Sequence, residues 1–397
     1  MDAVVAEPYG LALGQKLHDI TKVLALADQI LSELTEVLNK FHQTSHGKRY
    51  WNIVLGHWLQ RYVAVAFNRY HTLAQAIKNH EISGTTVRGA MDYSLATTDS
   101  LSFIWACNDD RWNHVLYSRI MAYRGDVALN PDSVPLREPR RFSREQAGLN
   151  RQGAGIKGLV RELVNTMGPK LARDADAFII NSYLPIREEI KLQLALGQVP
   201  QLWCSPSFEQ VQPDTDLRIR LTLDHARHKG FESYVRWQLP EIIPACYLEG
   251  YRSLIKITEA LPWPKKPRFI FTSNNFAADE IFKVWAGSKT EQGIPYFTGQ
   301  HGNNYGTHIY AGNPNWPERA AADKFFTWGW SDENSNTVPA FNFKTSSLKS
   351  NRFNPAGGLL LIELHVPQRV TPWDSYFEFG TCQEEQFRFV AALPQLI

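Results

Sequence analysis

Arg268-Phe269-Ile270-Phe271-Thr272-Ser273-Asn274-Asn275-Phe276 leads through a helical segment, Ala277 to Thr290, into Ile294-Pro295-Tyr296-Phe297-Thr298-Gly299-Gln300-His301-Gly302. Two short apolar runs flanking one helix read as a βαβ unit, and such units require a parallel sheet. In an open parallel sheet, ligands collect at the carboxyl ends of the strands, where helix N-termini present unpaired N–H groups. Both polar runs, 272–276 and 299–306, fall at such ends.

Working back toward the N-terminus, Leu261-Pro262-Trp263-Pro264-Lys265-Lys266-Pro267 is rich in proline, which stiffens a chain and removes donors. It reads as a hinge between an N-terminal region, 1–262, and an α/β region, 263–397. Ala177-Phe178-Ile179-Ile180 reads as a strand followed by a helix from Pro185 to Leu196. Leu217-Arg218-Ile219-Arg220-Leu221-Thr222-Leu223 alternates at period two and reads as a strand ending at Asp224, with a helix from Phe231. Residues 130–157, including the basic run Arg137 to Arg141, read as an exposed loop. Earlier still, Leu13, Leu17, Ile20, Leu24, Leu31, Leu34 and Leu38 mark an amphipathic helix over 11–42 that packs on its neighbours. A second helix covers 50–78, with Trp51, Leu55, Trp58 and Tyr62 on one side and His57, Gln60 and Arg61 on the other. Toward the C-terminus, Gly358 to Leu364 reads as a strand and Glu384 to Leu393 as a helix. The chain then stops at Ile397 with no terminal signal, as a module of a longer synthase would.

Hydroxyl and amide groups at Thr272, Ser273, Asn274 and Asn275 can bond phosphate or ribose oxygens, or simply cap the following helix. Asp279 and Glu280 already offset that helix's dipole. At the next strand end, Gly299, Gly302 and Gly306 permit close backbone approach around Gln300, His301 and Tyr305. A histidine there serves as acid or base near neutral pH, or clamps a leaving phosphate as imidazolium. Glycosyl transfer passes through an oxocarbenium-like state, so a carboxylate is sought as base or nucleophile. Asp224 and Glu232 are the candidates, with Glu249 and Glu318 behind them. Asp174-Ala175-Asp176 and Asp214-Thr215-Asp216 precede their strands, the wrong end for a nucleotide metal site, so no metal is expected.

Of 397 residues, 42 are basic and 40 acidic, a net charge of +2 that argues against a dedicated nucleic-acid binder. Aromatic residues reach 12%, and pairs such as Trp51-Asn52 and Trp328-Gly329-Trp330 suit stacking against sugar rings as well as core filling. Cys107, Cys204, Cys246 and Cys382 form neither a zinc pattern nor a disulfide framework. No signal peptide is visible and no apolar run approaches the roughly twenty residues of a membrane span, so a cytoplasmic address is expected, with peripheral contact at the inner membrane face.

Thr272-Ser273-Asn274-x-Phe276, Gln300-His301-Gly302-x-x-Tyr305-Gly306 and Asp323-x-x-x-x-Trp328-Gly329-Trp330 together resemble a family of transferases from bacterial lipopolysaccharide and surface-polysaccharide gene clusters. Trp51 to Tyr70 and Tyr247-Leu248-Glu249-Gly250 are similar to it too. The resemblance implies a GT-B-like α/β fold, two Rossmann-like domains with a helical N-terminal region, and a nucleotide-sugar donor. It extends to transferases that use CMP-activated keto sugars such as Kdo, including modules of O-antigen synthases. The expectation is a metal-independent glycosyltransferase with no cofactor, taking a CMP-sugar donor and a lipid-linked glycan acceptor. Asp224, Glu232 and His301 would be catalytic, while Thr272, Ser273, Asn274, Asn275, Gln300, Gly302 and Tyr305 would hold the donor. A CDP-alditol phosphotransferase and a non-catalytic glycan-binding module are the rival readings.

Overall fold

A computed structural model describes residues 4, 6–7, 9–10, 12, 14–88, 94–132, 171–302, 305, 313–348, 357 and 379–396. Two long helices dominate the N-terminal region, α1 (Gln15–His42) and α2 (Lys48–Asn79). Leu24, Leu31, Leu34 and Leu38 of α1 are buried against α2, so α1 is a packing helix. The three- and four-residue steps of these leucines place them on a single stripe, as an amphipathic helix requires. α2 is different. Its buried set includes Tyr50, Trp51, Val54, Trp58, Tyr62 and Arg69, spread around the helix, because α2 is covered from several sides. Trp51 and Trp58 are core residues and offer no stacking face to a glycan.

Two short helices follow, α3 (Ser100–Ala106) and α4 (Asp110–Arg124), each capped by an aspartate, Asp99 and Asp109. A parallel strand pair, β1 (Gly84–Arg88) and β2 (Ala128–Asp132), flanks them. β2 thus takes in the first residues of the stretch expected to be a loop, and the Arg137–Arg141 run lies outside the described residues.

The main sheet holds β3 (Phe178–Ile180), β4 (Ile270–Thr272), β5 (Tyr296–Gly299), β6 (Lys324–Thr327) and β7 (Thr337–Pro339), all parallel and in chain order. Phe178, Ile179 and Ile180 are all buried, as a strand covered on both faces should be. The connections carry α5 (Ile186–Ala195), α6 (Thr215–Arg218), α7 (Gly230–Ile242), α8 (Tyr251–Ala260), α9 (Glu280–Glu291) and α10 (Pro317–Ala320). A last helix, α11 (Phe379–Leu396), follows, and the strand expected at 358–364 lies outside the described residues.

Three expectations need correction. The segment 217–223 is not a strand. Asp214 caps α6 by accepting the Leu217 N–H (3.1 Å), and Arg218 swings inward to Glu249 (2.7 and 2.9 Å). A cap and a buried ion pair override the period-two pattern. The prolines at 262–267 do not separate two sheets either, since β3 pairs with β4 across them, Phe178 opposite Ile270. Finally, the strand order never reverses among the described residues, which therefore show no switch point of the doubly wound kind. Right-handed crossovers stepping one way put their helices on one face. In keeping with that, α9 and α10 both pack on α2, which lies across them.

A candidate active site where two half-buried histidines meet a carboxyl group

Because every strand of the main sheet points the same way, the carboxyl ends of β3 through β7 share one edge. The ladder continues past the strands there. Ser273 N–H donates to Asn181 O (3.1 Å) and Gln300 N–H to Phe326 O (2.8 Å). Gly299 is forced by packing, since a Cβ would stand 2.6 Å from Ser273 Oγ and 2.8 Å from the Phe343 ring.

At the end of β4, most of the polar side chains are spent on the turn itself. Thr272 Oγ1 accepts the N–H groups of Asn274 (3.3 Å) and Asn275 (3.1 Å), and Ser273 Oγ donates to Ser182 O (3.0 Å). Asn275 Nδ2 donates to Asp279 Oδ2 (2.7 Å). The cap of α9 is Asp279, whose Oδ1 accepts the Phe282 N–H (3.1 Å), so a carboxylate already occupies the positive end of that helix. Thr272 and Ser273 are fully buried. Of the four expected donor-binding residues on this turn, Asn274 alone keeps a side chain that the turn does not engage.

Gln300 is a brace. Its Nε2 donates to Gly302 O (2.7 Å), and its Oε1 accepts Trp328 N–H (2.9 Å) and Trp330 Nε1–H (2.8 Å). Gly302 has open space where a Cβ would sit, and Asn303 and Gly306 lie outside the described residues. Asp323 also belongs to the frame: Oδ2 accepts the Tyr296 N–H (2.8 Å) and pairs with Arg49 of α2 (2.8 Å).

His301 and Tyr305 begin a chain of side chains that runs inward. Tyr305 Oη donates to Glu318 Oε1 (2.6 Å), and His301 Nδ1 lies 3.1 Å from the same phenol oxygen. A phenol has one proton. Given to Glu318, it leaves only lone pairs for His301, so Nδ1 carries the imidazole proton and Nε2 is left as an acceptor. Glu318 is the second residue of α10, held by Thr298 Oγ1–H donating to Glu318 O (2.6 Å). Its other oxygen, Oε2, stands 3.3 Å from His57 Nε2 on α2. Phe276 links the two imidazoles, stacked on His57 (5.0 Å, 15°) and edge-on to His301 (5.7 Å, 63°).

Burial sets the protonation states. It drives His301 down to about 4, helped by the charge of Lys344. His57 is pushed well below the imidazole range by burial first, then by the charges of Lys283, Arg61 and His301. Burial raises Glu318, against the Tyr305 hydrogen bond, a backbone hydrogen bond and the charges of Arg319 and Arg61. At neutral pH His301 is therefore a neutral imidazole in the empty site. Of the two roles read from the sequence, a neutral imidazole suits the proton acceptor better than the imidazolium clamp.

The expected carboxylates are elsewhere. Asp224 pairs with Arg227 (2.7 Å) and is half exposed, at the end of a loop and not of a strand. Glu232 sits in the first turn of α7, exposed and 3.5 Å from His228. Its neighbour Phe231 packs on Phe67 and Tyr70 of α2. Phe67 is ten residues from His57, about 15 Å along the helix axis at 1.5 Å per residue. Glu249 is consumed by Arg218, which also donates to the carbonyls of Pro240 (3.0 Å) and Ile243 (2.8 Å). Asp176 is buried under Arg173 and Asp214 is a helix cap. Among the described residues no group of three or more His, Cys, Asp or Glu side chains could hold a metal ion, and no helix is long and apolar enough to cross a membrane.

His57 and Glu318 were the residues sequence reasoning left in the background. His57 is one of several polar residues on α2, and Glu318 follows Trp316-Pro317 in a run with no periodicity. Pro317 at the first position of α10 and an acidic residue at the second are a helix-start signal. That signal says nothing of burial.

What fold and site define is a mixed α/β protein with acid–base chemistry gathered at the carboxyl edge of a parallel sheet. The chain belongs to the LIC12162 family of transferases, whose family model matches residues 3–397. Neither a curated protein nor a solved structure matches it. Membership makes the chain a transferase.

Proposed function

We propose that this transferase is a glycosyltransferase that moves a sugar from a nucleotide donor to a growing surface glycan. The observation that carries the reading is His301, held at a strand end with Nδ1 committed to the Tyr305–Glu318 chain and Nε2 left basic. In the proposed step the acceptor hydroxyl gives its proton to His301 Nε2 while its oxygen forms the bond to the anomeric carbon. The bond from that carbon to the nucleotide phosphate breaks, and the phosphate takes the electron pair. Tyr305 and Glu318 then stabilise the imidazolium, since Nδ1–H still has an acceptor behind it.

The nucleotide would lie between the 272–276 turn, through Asn274, and Gln300–Gly302. Lys344, which stands 4.3 Å from the Tyr183 ring and whose charge reaches His301, would support the leaving phosphate without a metal. A CMP-activated keto-sugar acid is the donor class we favour, with a lipid-linked acceptor. The test is a thermal-shift panel of CMP, CDP, UDP and GDP, followed by transfer of labelled sugar with and without EDTA. CMP is expected to give the largest rise in Tm, and EDTA to leave turnover unchanged. His301→Gln should lower turnover by roughly 10²–10⁴-fold. No shift with any nucleotide, or EDTA inhibition restored by manganese, would overturn the reading.

A further inference from the structure

His57 Nε2 and Glu318 Oε2 are both fully enclosed, 3.3 Å apart, and neither has a well-formed hydrogen bond. Buried polar atoms left in this state are uncommon and costly. Two lone pairs facing each other at this distance would repel, so one proton belongs between them. The remaining sides of the pair are closed. Phe276 stacks on His57, the Tyr305 hydroxyl occupies Glu318 Oε1, and Gly56 lets α2 approach Pro317, where a Cβ would lie 3.3 Å from the proline Cβ. The charged groups that bear on the pair are Lys283 from α9, Arg61 from α2 and Arg319 from α10. All three are cations, which favour the carboxylate form of Glu318 and disfavour an imidazolium at His57, so the neutral His57 is the donor and Glu318 Oε2 the acceptor.

We infer that His57 is a positioning residue for His301: by sharing a proton with Glu318 Oε2 it keeps Oε1 an acceptor, which fixes the Tyr305 hydroxyl and the His301 tautomer. The consequence follows atom by atom. With His57 donating to Oε2, Glu318 stays an acceptor at Oε1, Tyr305 O–H donates to it, and His301 must carry its proton on Nδ1. Without that donor, the buried carboxyl takes a proton of its own and donates from Oε1 to Tyr305 Oη. The phenol proton then turns to His301 Nδ1, and the imidazole proton moves to Nε2. His301 loses its basic nitrogen while every heavy atom stays in place. The inference rests on His301 being the base, but its test reads the tautomer in the protein alone, without donor or acceptor.

The experiment is ¹⁵N-histidine NMR on the full chain at pH 7.5, comparing wild type with His57→Phe, His57→Gln and Tyr305→Phe. Wild type should show His301 as the Nδ1–H form. His57→Phe should convert it to the Nε2–H form, and His57→Gln, whose amide N–H can still donate to Oε2, should keep the wild-type form. Tyr305→Phe should release the preference from the other side and leave the His57 resonance in place, which keeps the test decisive if the phenylalanine at 57 fails to fold. A His301 tautomer that is unchanged in a folded His57→Phe, or unchanged in Tyr305→Phe, would overturn the inference. Loss of the Nδ1–H form in a well-folded His57→Gln would overturn it as well. Neither result bears on whether a nucleotide sugar binds.

Discussion

Two fully buried glutamates join the helical layer to the sheet, and they are treated in opposite ways. Glu280, on α9, is closed on every side. Lys283 Nζ lies 2.7 Å away, Tyr247 Oη donates to it (2.7 Å), and Ser100 N–H donates to its other oxygen (3.0 Å). Burial opposes its ionisation, yet Lys283, Tyr247 and Ser100 together hold it below the usual carboxyl range. Glu318, on α10, has one phenol, one histidine at an imperfect angle and no lysine, and burial holds it high. Glu280 is a finished ion pair whose work is to fix α9 against α3 and the Tyr247 turn. Glu318 is unfinished. A partly satisfied network is expensive to keep, which fits the role proposed for Glu318 beside His301.

The sharpest way to break that comparison is to remove one partner from each side. Lys283→Met takes the lysine from a fully buried carboxylate and leaves Glu280 only its hydrogen bonds from Tyr247 and Ser100, which should cost about 3–5 kcal/mol. Glu318→Gln removes a charge that burial already disfavours and keeps an oxygen for Tyr305, while His57 has to move its ring proton to Nδ1 to accept from the new amide. It should cost less than about 1 kcal/mol while depressing turnover. Urea denaturation of both variants decides the matter. Equal losses would mean that the two glutamates play the same structural part.

Acid stability sharpens it further. His301 is held to about 4 by burial and Lys344, and His42, on α1, is held to about 4 by burial against its bond to Tyr247 O. In the unfolded chain both return to the ordinary value of 6.5. Both folded values are depressed, so between these limits the unfolded state binds more protons and stability rises with pH. The stability is complete above 6.5 and is lost as pH falls toward 4. Each histidine contributes at most about 3 kcal/mol to that loss. At pH 5, His301→Gln should reduce proton uptake on unfolding by about one proton. An unchanged uptake would show that His301 is already charged in the folded protein.

Much of the architecture was legible beforehand, because burial and periodicity write themselves into composition. The leucine stripe of α1, the βαβ unit and the apolar run 178–180 all follow from side chains facing one way or two. β6 and β7 were not legible, since four and three residues are too few to show a period. The site was half legible. His301 and Tyr305 stand where a strand ends, a place sequence can locate. His57 and Glu318 are brought there by the crossing of α2 over α10, and no local pattern encodes a helix crossing. Gln300, Asp323, Glu249 and Asp279 hold the frame, because polar side chains in turns and at helix starts are needed to satisfy backbone and buried charged groups whether or not a ligand is bound.

Gly56 is where that crossing is set, and it gives a smaller effect. A Cβ there would stand 2.2 Å from Asn52 Oδ1 and 3.3 Å from Pro317 Cβ. The Asn52 side chain can turn away, toward a cavity of about 220 Å³ that it lines with Leu24, Leu31 and Gln60. The proline cannot, so Gly56→Ala should shift α10 and cost about 1–3 kcal/mol. It should also weaken turnover more than its stability loss explains, because Glu318 moves with α10. Full turnover at a temperature where the variant is folded would show that the His57–Glu318 separation does not matter.

The smallest effect is the one expected at the carboxylates that the sequence put forward first. Asp224 and Glu232 earned that place by a strand which the chain does not form, so the geometric reason for them has gone. Asp224 is half exposed beside Arg227, an i,i+3 neighbour that is itself largely solvated, and surface pairs of this kind contribute little. Glu232 lies in the first turn of α7, where a negative charge favours the helix by a few tenths of a kcal/mol at such exposure. Neither shares a contact with His301, Tyr305, Glu318 or His57, and additivity should hold between the two positions and the site. Asp224→Asn and Glu232→Gln should therefore each change stability by no more than about 0.5 kcal/mol. Turnover should stay within about twofold of wild type, a change below 0.5 kcal/mol. The measurement that matters is turnover of the double variant, because a shared catalytic role would appear there even if one carboxylate substituted for the other. A loss of about a hundredfold in that variant would move the acid–base centre away from Glu318, and the contrast with Glu280 would then describe packing alone.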